Sequence, residues 1–146
     1  MTADHVIIRP ASLARPVGYS HGITVRGGET LYVAGQVAFD ADGKVVGAGN
    51  IVKQFEQALA NFCRVLEAAG AAPASVVKLT IFTSEMAAYK ANLKTIGQVY
   101  RAVFGSHYPA MTLVEVKSLY DDGILVEIEG IAVLDANAES GLQNAE

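Results

Sequence analysis

The residues that could do chemistry are few and scattered along the chain. Glu127 is a carboxylate in the middle of an apolar, β-branched run, Ile124 to Leu134. On a solvated sheet face such a group is ordinary, and by the two-residue period Glu129 shares its face. Buried in a cleft, the same carboxyl would have a raised pKa and could carry protons to and from a reacting centre. Tyr19, between Gly18 and Ser20, can present a hydroxyl from a loop or pack as an aromatic. Gly35-Gln36 lies in a strand-like run, where a missing Cβ admits a ligand to the backbone or marks a bulge. Met111 fills apolar space. His21 and His107 lack any metal-ligand spacing, and no metal site is expected. The single cysteine, Cys63, sits mid-helix with nothing beside it to lower its pKa, which describes a structural thiol rather than a nucleophile. Ser20-His21 adjacency does not make a dyad, and no G-x-x-x-x-G-K-[ST] phosphate loop is present.

The elements that must position these residues follow from periodicity. Val6–Arg9, Gly22–Arg26 and Leu31–Val37 read as strands, with Gly27-Gly28 a hairpin signal between the second and third. Asn50 is placed to cap a helix whose stripe is Phe55, Ala58, Leu59, Phe62, Leu66 and Ala69, stopped by Gly70. Val76–Thr83 is a strand. Ser84 is placed to cap a second helix with the stripe Tyr89, Leu93, Ile96, Val99, Tyr100 and Val103, closed by Gly105. Met111–Val116 and Ile124–Leu134 are the last two strands. On the last, Leu125, Glu127 and Glu129 share one face, and Val126, Ile128 and Gly130 the other. Two helices cannot cover both faces of so many strands. The expectation is an α+β fold, a six-stranded mixed β-sheet with two helices packed on one face. Its other face would be bare, and the natural cover is another copy of the chain.

Composition sets the outer bounds. The 146 residues suit one domain, here 1–134, followed by a polar tail without periodicity from Asp135 to Glu146. At 51% hydrophobic and 18% charged the chain is not disordered by composition. That charge content is sparse for a small soluble monomer, which again points to apolar surface buried between subunits. No apolar run reaches the roughly 18–20 residues of a membrane span, and no signal peptide is visible. With one cysteine a disulfide framework is excluded, so a reducing cytoplasm is the expected compartment. A net charge of −4 argues against a nucleic-acid binder.

Taken together, several segments resemble the RidA/YjgF family. They are Gly18-Tyr19-Ser20; Leu31-Tyr32-Val33-Ala34-Gly35-Gln36; Leu59-Ala60-Asn61 with Val65-Leu66 and Gly70; Val77-Lys78-Leu79-Thr80; Tyr100 with Phe104; Pro109-Ala110; and Val126 to Ala132. No single motif is specific, but the ordered set covers about Arg15 to Leu134. The resemblance implies a chorismate-mutase-like fold, a homotrimer with clefts between subunits, and hydrolysis of reactive enamines and imines such as 2-aminoacrylate. It implies no metal or organic cofactor. Glu127 would be the acid/base, with Tyr19, Ala34, Gly35, Gly97, Ala110 and Met111 around the substrate.

Three of those positions depart from the deaminase pattern. Met111 stands where the resemblance implies a carboxylate-binding arginine, Ala34 where it implies a serine, and Gly97 where it implies an asparagine. A thioether cannot pair with a carboxylate. Losing a charge-assisted contact costs on the order of 2–5 kcal/mol when its partner is left buried. Either the substrate is not 2-aminoacrylate, or another cation serves; Arg15, Arg26, His21 and His107 are candidates. The expected function is hydrolytic deamination of a different small imine. The alternatives are a small-molecule-binding protein without turnover and, with least support, RNA cleavage or inhibition of translation.

Overall fold

Asn50 opens the longest helix, its side-chain oxygen accepting a hydrogen bond from the Lys53 N–H at 3.1 Å. This helix, α1, spans Ile51–Ala68. Phe55, Ala58, Leu59, Phe62 and Leu66 are all buried along its inner stripe. Each large side chain there contributes roughly 1.5–3 kcal/mol of hydrophobic stabilisation. Gly70, at φ 76°, takes the left-handed conformation that ends the helix without a Cβ clash. The computed structural model describes residues 2–136.

The six strands are β1 Asp4–Ile8, β2 Gly22–Arg26, β3 Glu29–Gln36, β4 Val76–Thr83, β5 Ala110–Glu115 and β6 Val126–Leu134. They do not form one sheet. β3, β6, β4 and β5 make a four-stranded sheet in that order, parallel only between β4 and β5, while β1 and β2 pair as a separate antiparallel ribbon. The hairpin expected at Gly27-Gly28 is therefore absent. Both glycines have positive φ and turn the chain from ribbon to sheet. β3 finds an apolar partner in β6, with Leu31 opposite Ala132 and Val33 opposite Gly130, over the α1 stripe. The ribbon is tied where β6 ends, and the segment leading into β2 is tied just before β5. His5 Nε2 meets the Val133 carbonyl at 3.1 Å, and the Ser20 N–H donates to the Pro109 carbonyl at 2.9 Å.

The second helix is also divided. α2 spans Met86–Ala91 and α3 spans Leu93–Phe104, with Asn92 between them donating from Nδ2 to the Ala88 carbonyl at 2.8 Å. Tyr89, Ile96, Tyr100 and Phe104 are buried, but the break turns Leu93 outward, 56% exposed. Ser84 does not cap: its hydroxyl donates to the Ile124 carbonyl. Instead the Glu115 carboxylate, arriving from β5, accepts from the Met86 N–H at 3.0 Å, an anion at a helix N-terminus. All three helices lie on one sheet face, against Val76, Leu79, Ile81, Thr83, Val126, Ile128 and Ala132. The other face carries Glu127, Glu129 and a 76%-exposed Tyr32, and is uncovered as expected. Of the expected tail, Asp135 is tied down by the Ala3 N–H at 2.8 Å; residues 137–146 lie outside the described residues. Among the described residues no helix is long and apolar enough to cross a membrane.

Candidate functional site

Glu127 leaves the sheet on the face away from the helices, because its neighbours Val126 and Ile128 are fully buried toward them. It is half-buried. The register of β3 slips between Val33 and Gln36, and this irregularity sets Gly35 directly against the carboxyl. A Cβ on Gly35 would lie 2.7 Å from both Cδ and Oε2 of Glu127. Only glycine allows that approach. Beside them is a cavity of about 240 Å3, which Glu127 and Gly35 line with Asn61 and Tyr120.

Two amides from α1 fix the loops around this carboxylate. Asn61 Nδ2 donates to the carbonyls of Val37 and Phe39, both at 2.9 Å, holding the segment after β3. Gln54 is completely buried. Its Nε2 donates to the Gly123 carbonyl and its Oε1 accepts from the Leu125 N–H, both at 2.8 Å, holding the segment before β6. Asn61 belongs to the sequence resemblance without an expected role, and Gln54 was not foreseen at all. Its one signal is a polar residue beside Phe55 on the edge of an apolar stripe.

Met111 stands elsewhere. β5 pairs with β4 so that Met111 lies opposite Leu79 and Leu113 opposite Ile81, which puts both on the helix face. There, between α3 and the β5 edge, lies a cavity of about 370 Å3. Phe55, Ile81 and Ile96 supply apolar wall, and Tyr19, Gly97 and Met111 line it too. Among the described residues, Arg101 is the one charged residue in the lining, exposed and one helical turn beyond Gly97. Its Nη1 would stand 3.1 Å from a Cβ on Gly97. Sequence reasoning missed Arg101; the four-residue step from Gly97 was the available signal.

Tyr100 anchors the back of this cavity. Its ring stacks between Phe104 and Tyr108, with centroids at 4.6 and 5.4 Å, and its hydroxyl donates to the His107 carbonyl at 2.8 Å. Burial raises the pKa of this phenol, and burial pushes that of Tyr89 up to about 12. Both stay neutral at physiological pH.

The expected site residues thus divide between two cavities that share no lining residue: Gly35 and Glu127 in one, Tyr19, Gly97 and Met111 in the other. Ala34, exposed on β3, and Ala110, at the start of β5, line neither. Among the candidate replacement cations, Arg15 lines a third cavity with Arg9, adjoining at Val17–Tyr19. Arg26 is exposed at the end of β2. The His21 and His107 rings donate to the carbonyls of Ala14 and Val76, at 2.8 and 2.7 Å. Cys63 is half-buried, and burial, with Glu67 adding to it, raises the thiol pKa, as a structural role requires. No cluster of three side chains able to hold a metal lies among the described residues.

Fold and cavities together define a small α+β protein with a glycine-backed carboxylate and a separate apolar pocket. The chain belongs to the RidA/YjgF family: the family model described as Endoribonuclease L-PSP matches residues 9–134. A RutC family protein of Pyrococcus horikoshii is 35% identical over 127 residues, 86% of this chain and 95% of the relative. The 2-iminobutanoate/2-iminopropanoate deaminase of Capra hircus is 36% identical over 129 residues, 87% of this chain and 88% of the relative. Among solved structures, the Rid family protein YyfB of Yersinia pestis, described as of unknown function, superposes with a TM-score of 0.80. It is 36% identical, over 89% of this chain and 98% of that one. RidA from an Antarctic Psychrobacter gives a TM-score of 0.63 at 29% identity, over 88% and 98%. At family level these relatives support a RidA-like imine deaminase.

Proposed function

We propose that this protein hydrolyses small reactive imines and enamines, releasing ammonia and a carbonyl compound. The observation that carries the reading is Glu127, half-buried in the lining of a cavity with its carboxyl against Gly35. An imine carbon is already electrophilic, so the reaction needs a placed water and a proton shuttle. The water oxygen bonds to the imine carbon while one water proton passes through Glu127 to the imine nitrogen, giving a carbinolamine. The hydroxyl proton then passes through Glu127 to the same nitrogen as the C–N bond breaks, so that ammonia leaves, the C=O bond forms and Glu127 is again a carboxylate.

The reading pairs Glu127 with a substrate held in the Met111 cavity, and within one chain the two cavities share no described lining residue. The reading therefore includes self-association to a homotrimer, in which Glu127 of one subunit faces the Met111 cavity of its neighbour. The uncovered sheet face and the sparse charge support it. Sedimentation showing a monomer at micromolar concentration overturns the assembly. β5 brings Met111 rather than a cation to this cavity, and the reading takes a substrate other than 2-aminoacrylate. It places the protein in the cytoplasm.

The test is hydrolysis of imines generated in place by an amino-acid oxidase, followed as ammonia release. Wild type accelerates the hydrolysis of some of them, and Glu127→Ala abolishes the effect. Equal inactivity of both across a broad panel overturns the enzyme reading and leaves a small-molecule-binding protein. RNA cleavage has only the family model's description behind it; the net charge of −4, and His21 and His107 each engaged by a carbonyl, count against it.

A further inference from the structure

We infer that Arg101 supplies the anion anchor that β5 lacks, and that the pocket takes carboxylate-bearing imines with an apolar side chain. This rests on the reading of the cavity as a substrate site. Three observations carry it. Among the described residues, Arg101 is the one charged residue in the lining of the Met111 cavity, and no carboxylate lines it. Its side chain is exposed, so the guanidinium is open to a ligand. And Gly97, one turn earlier on α3, has no Cβ, so the guanidinium lies across the helix at that point, Nη1 3.1 Å from where a Cβ would stand.

The exchange is chemically coherent. Position 111 presents a thioether where a cation would otherwise rise from the strand, and position 97 presents nothing where a side chain would otherwise rise from the helix. The first leaves the pocket without a strand-borne charge, and the second clears a path for a helix-borne one. A guanidinium grips both carboxylate oxygens at once. With the charge at the α3 rim and Met111, Ile81 and Ile96 deeper in, a ligand fits carboxylate outward and apolar side chain inward. The cavity, about 370 Å3, has room for a branched aliphatic chain. A 2-aminoacrylate-sized substrate would leave most of that wall uncovered.

The experiment uses the full chain and 4-methyl-2-oxopentanoate, a branched keto acid of the product class, with its neutral analogue 4-methyl-2-pentanone as control. Titration calorimetry should show keto-acid binding that weakens about ten- to hundredfold in Arg101→Ala, one to two decades for a charge-assisted contact at an exposed rim. Arg101→Lys should recover part of the loss, and binding of the neutral ketone should be the same in all three. Circular dichroism confirms folding; Arg101 is exposed, and its truncation opens no core. Keto-acid binding equal in wild type and Arg101→Ala, or absent from wild type, overturns the anchor. The two readings fail separately. Imine hydrolysis that Glu127→Ala abolishes, with the keto acid bound equally with and without Arg101, removes the anchor and keeps the enzyme. Arg101-dependent binding with no turnover on any imine removes the enzyme and keeps the anchor.

Discussion

Gly35→Ala tests whether the position of the Glu127 carboxyl matters, separately from its presence. The added methyl would stand 2.7 Å from Cδ and Oε2 of Glu127 and 3.0 Å from Cγ. Ordinary van der Waals contact begins at 3.4 Å, so the carboxyl must retreat by about 0.7 Å. The retreating atoms are the end of a flexible side chain, and Gly35 is not among the positive-φ glycines, so the backbone accepts alanine without strain. Stability should change by less than about 1 kcal/mol, the size and sign of the alanine effect on unfolded-chain entropy. Turnover should not escape so lightly. Misplacing a catalytic group by about 1 Å costs on the order of a hundredfold, so a ten- to hundredfold fall in kcat is expected for 0.7 Å. The assay is ammonia release from oxidase-generated imines, with urea denaturation of the same preparations. Gly35→Ala on top of Glu127→Gln should cost nothing further, because the carboxylate that the methyl displaces is gone. A folded Gly35→Ala enzyme working at the wild-type rate, alongside a dead Glu127→Gln, would refute the reasoning.

Three further outcomes follow from the same geometry. Gln54→Ala removes a fully buried side chain that holds the Leu125 N–H and the Gly123 carbonyl, both part-buried; it should cost about 1–3 kcal/mol in urea denaturation. Gly97→Ala should raise stability by about 0.5–1 kcal/mol, because alanine suits a helix interior and its methyl meets only the movable tip of Arg101. A lower melting temperature would mean that the guanidinium is locked in place. Tyr89 has a folded pKa of about 12 against about 10 when free. Above pH 10 the unfolded chain gives up this proton before the folded one, so stability is intact below that pH and falls between 10 and about 12, by up to about 3 kcal/mol. Tyr89→Phe should flatten that part of the alkaline limb in urea titrations at pH 8, 10 and 11.

The strands, the first helix and its caps were legible because each depends on neighbours within a few residues. Asn50 needs only the Lys53 N–H, and the Phe55-to-Leu66 stripe needs only the helical period. Ser84 was misread for the opposite reason. It looks like a cap locally, but the Ile124 carbonyl took its hydroxyl, and the donor at the start of α2 went to Glu115, 29 residues away. Gly27-Gly28 allows a hairpin or a turn between sheets, and the apolar face of β6 decided which. The candidate site shows the same limit. The sequence alone set Glu127 on the face opposite Val126 and Ile128, showed that position 111 carries no cation, and showed that position 97 carries no side chain. Only the tertiary structure decided that Gly35 backs the carboxyl, that Met111 faces the helices, and that Arg101 fills the space over Gly97. Alternation fixes a side chain's face from the chain itself. What stands against that face depends on the register of strands distant in sequence, and periodicity carries no record of it.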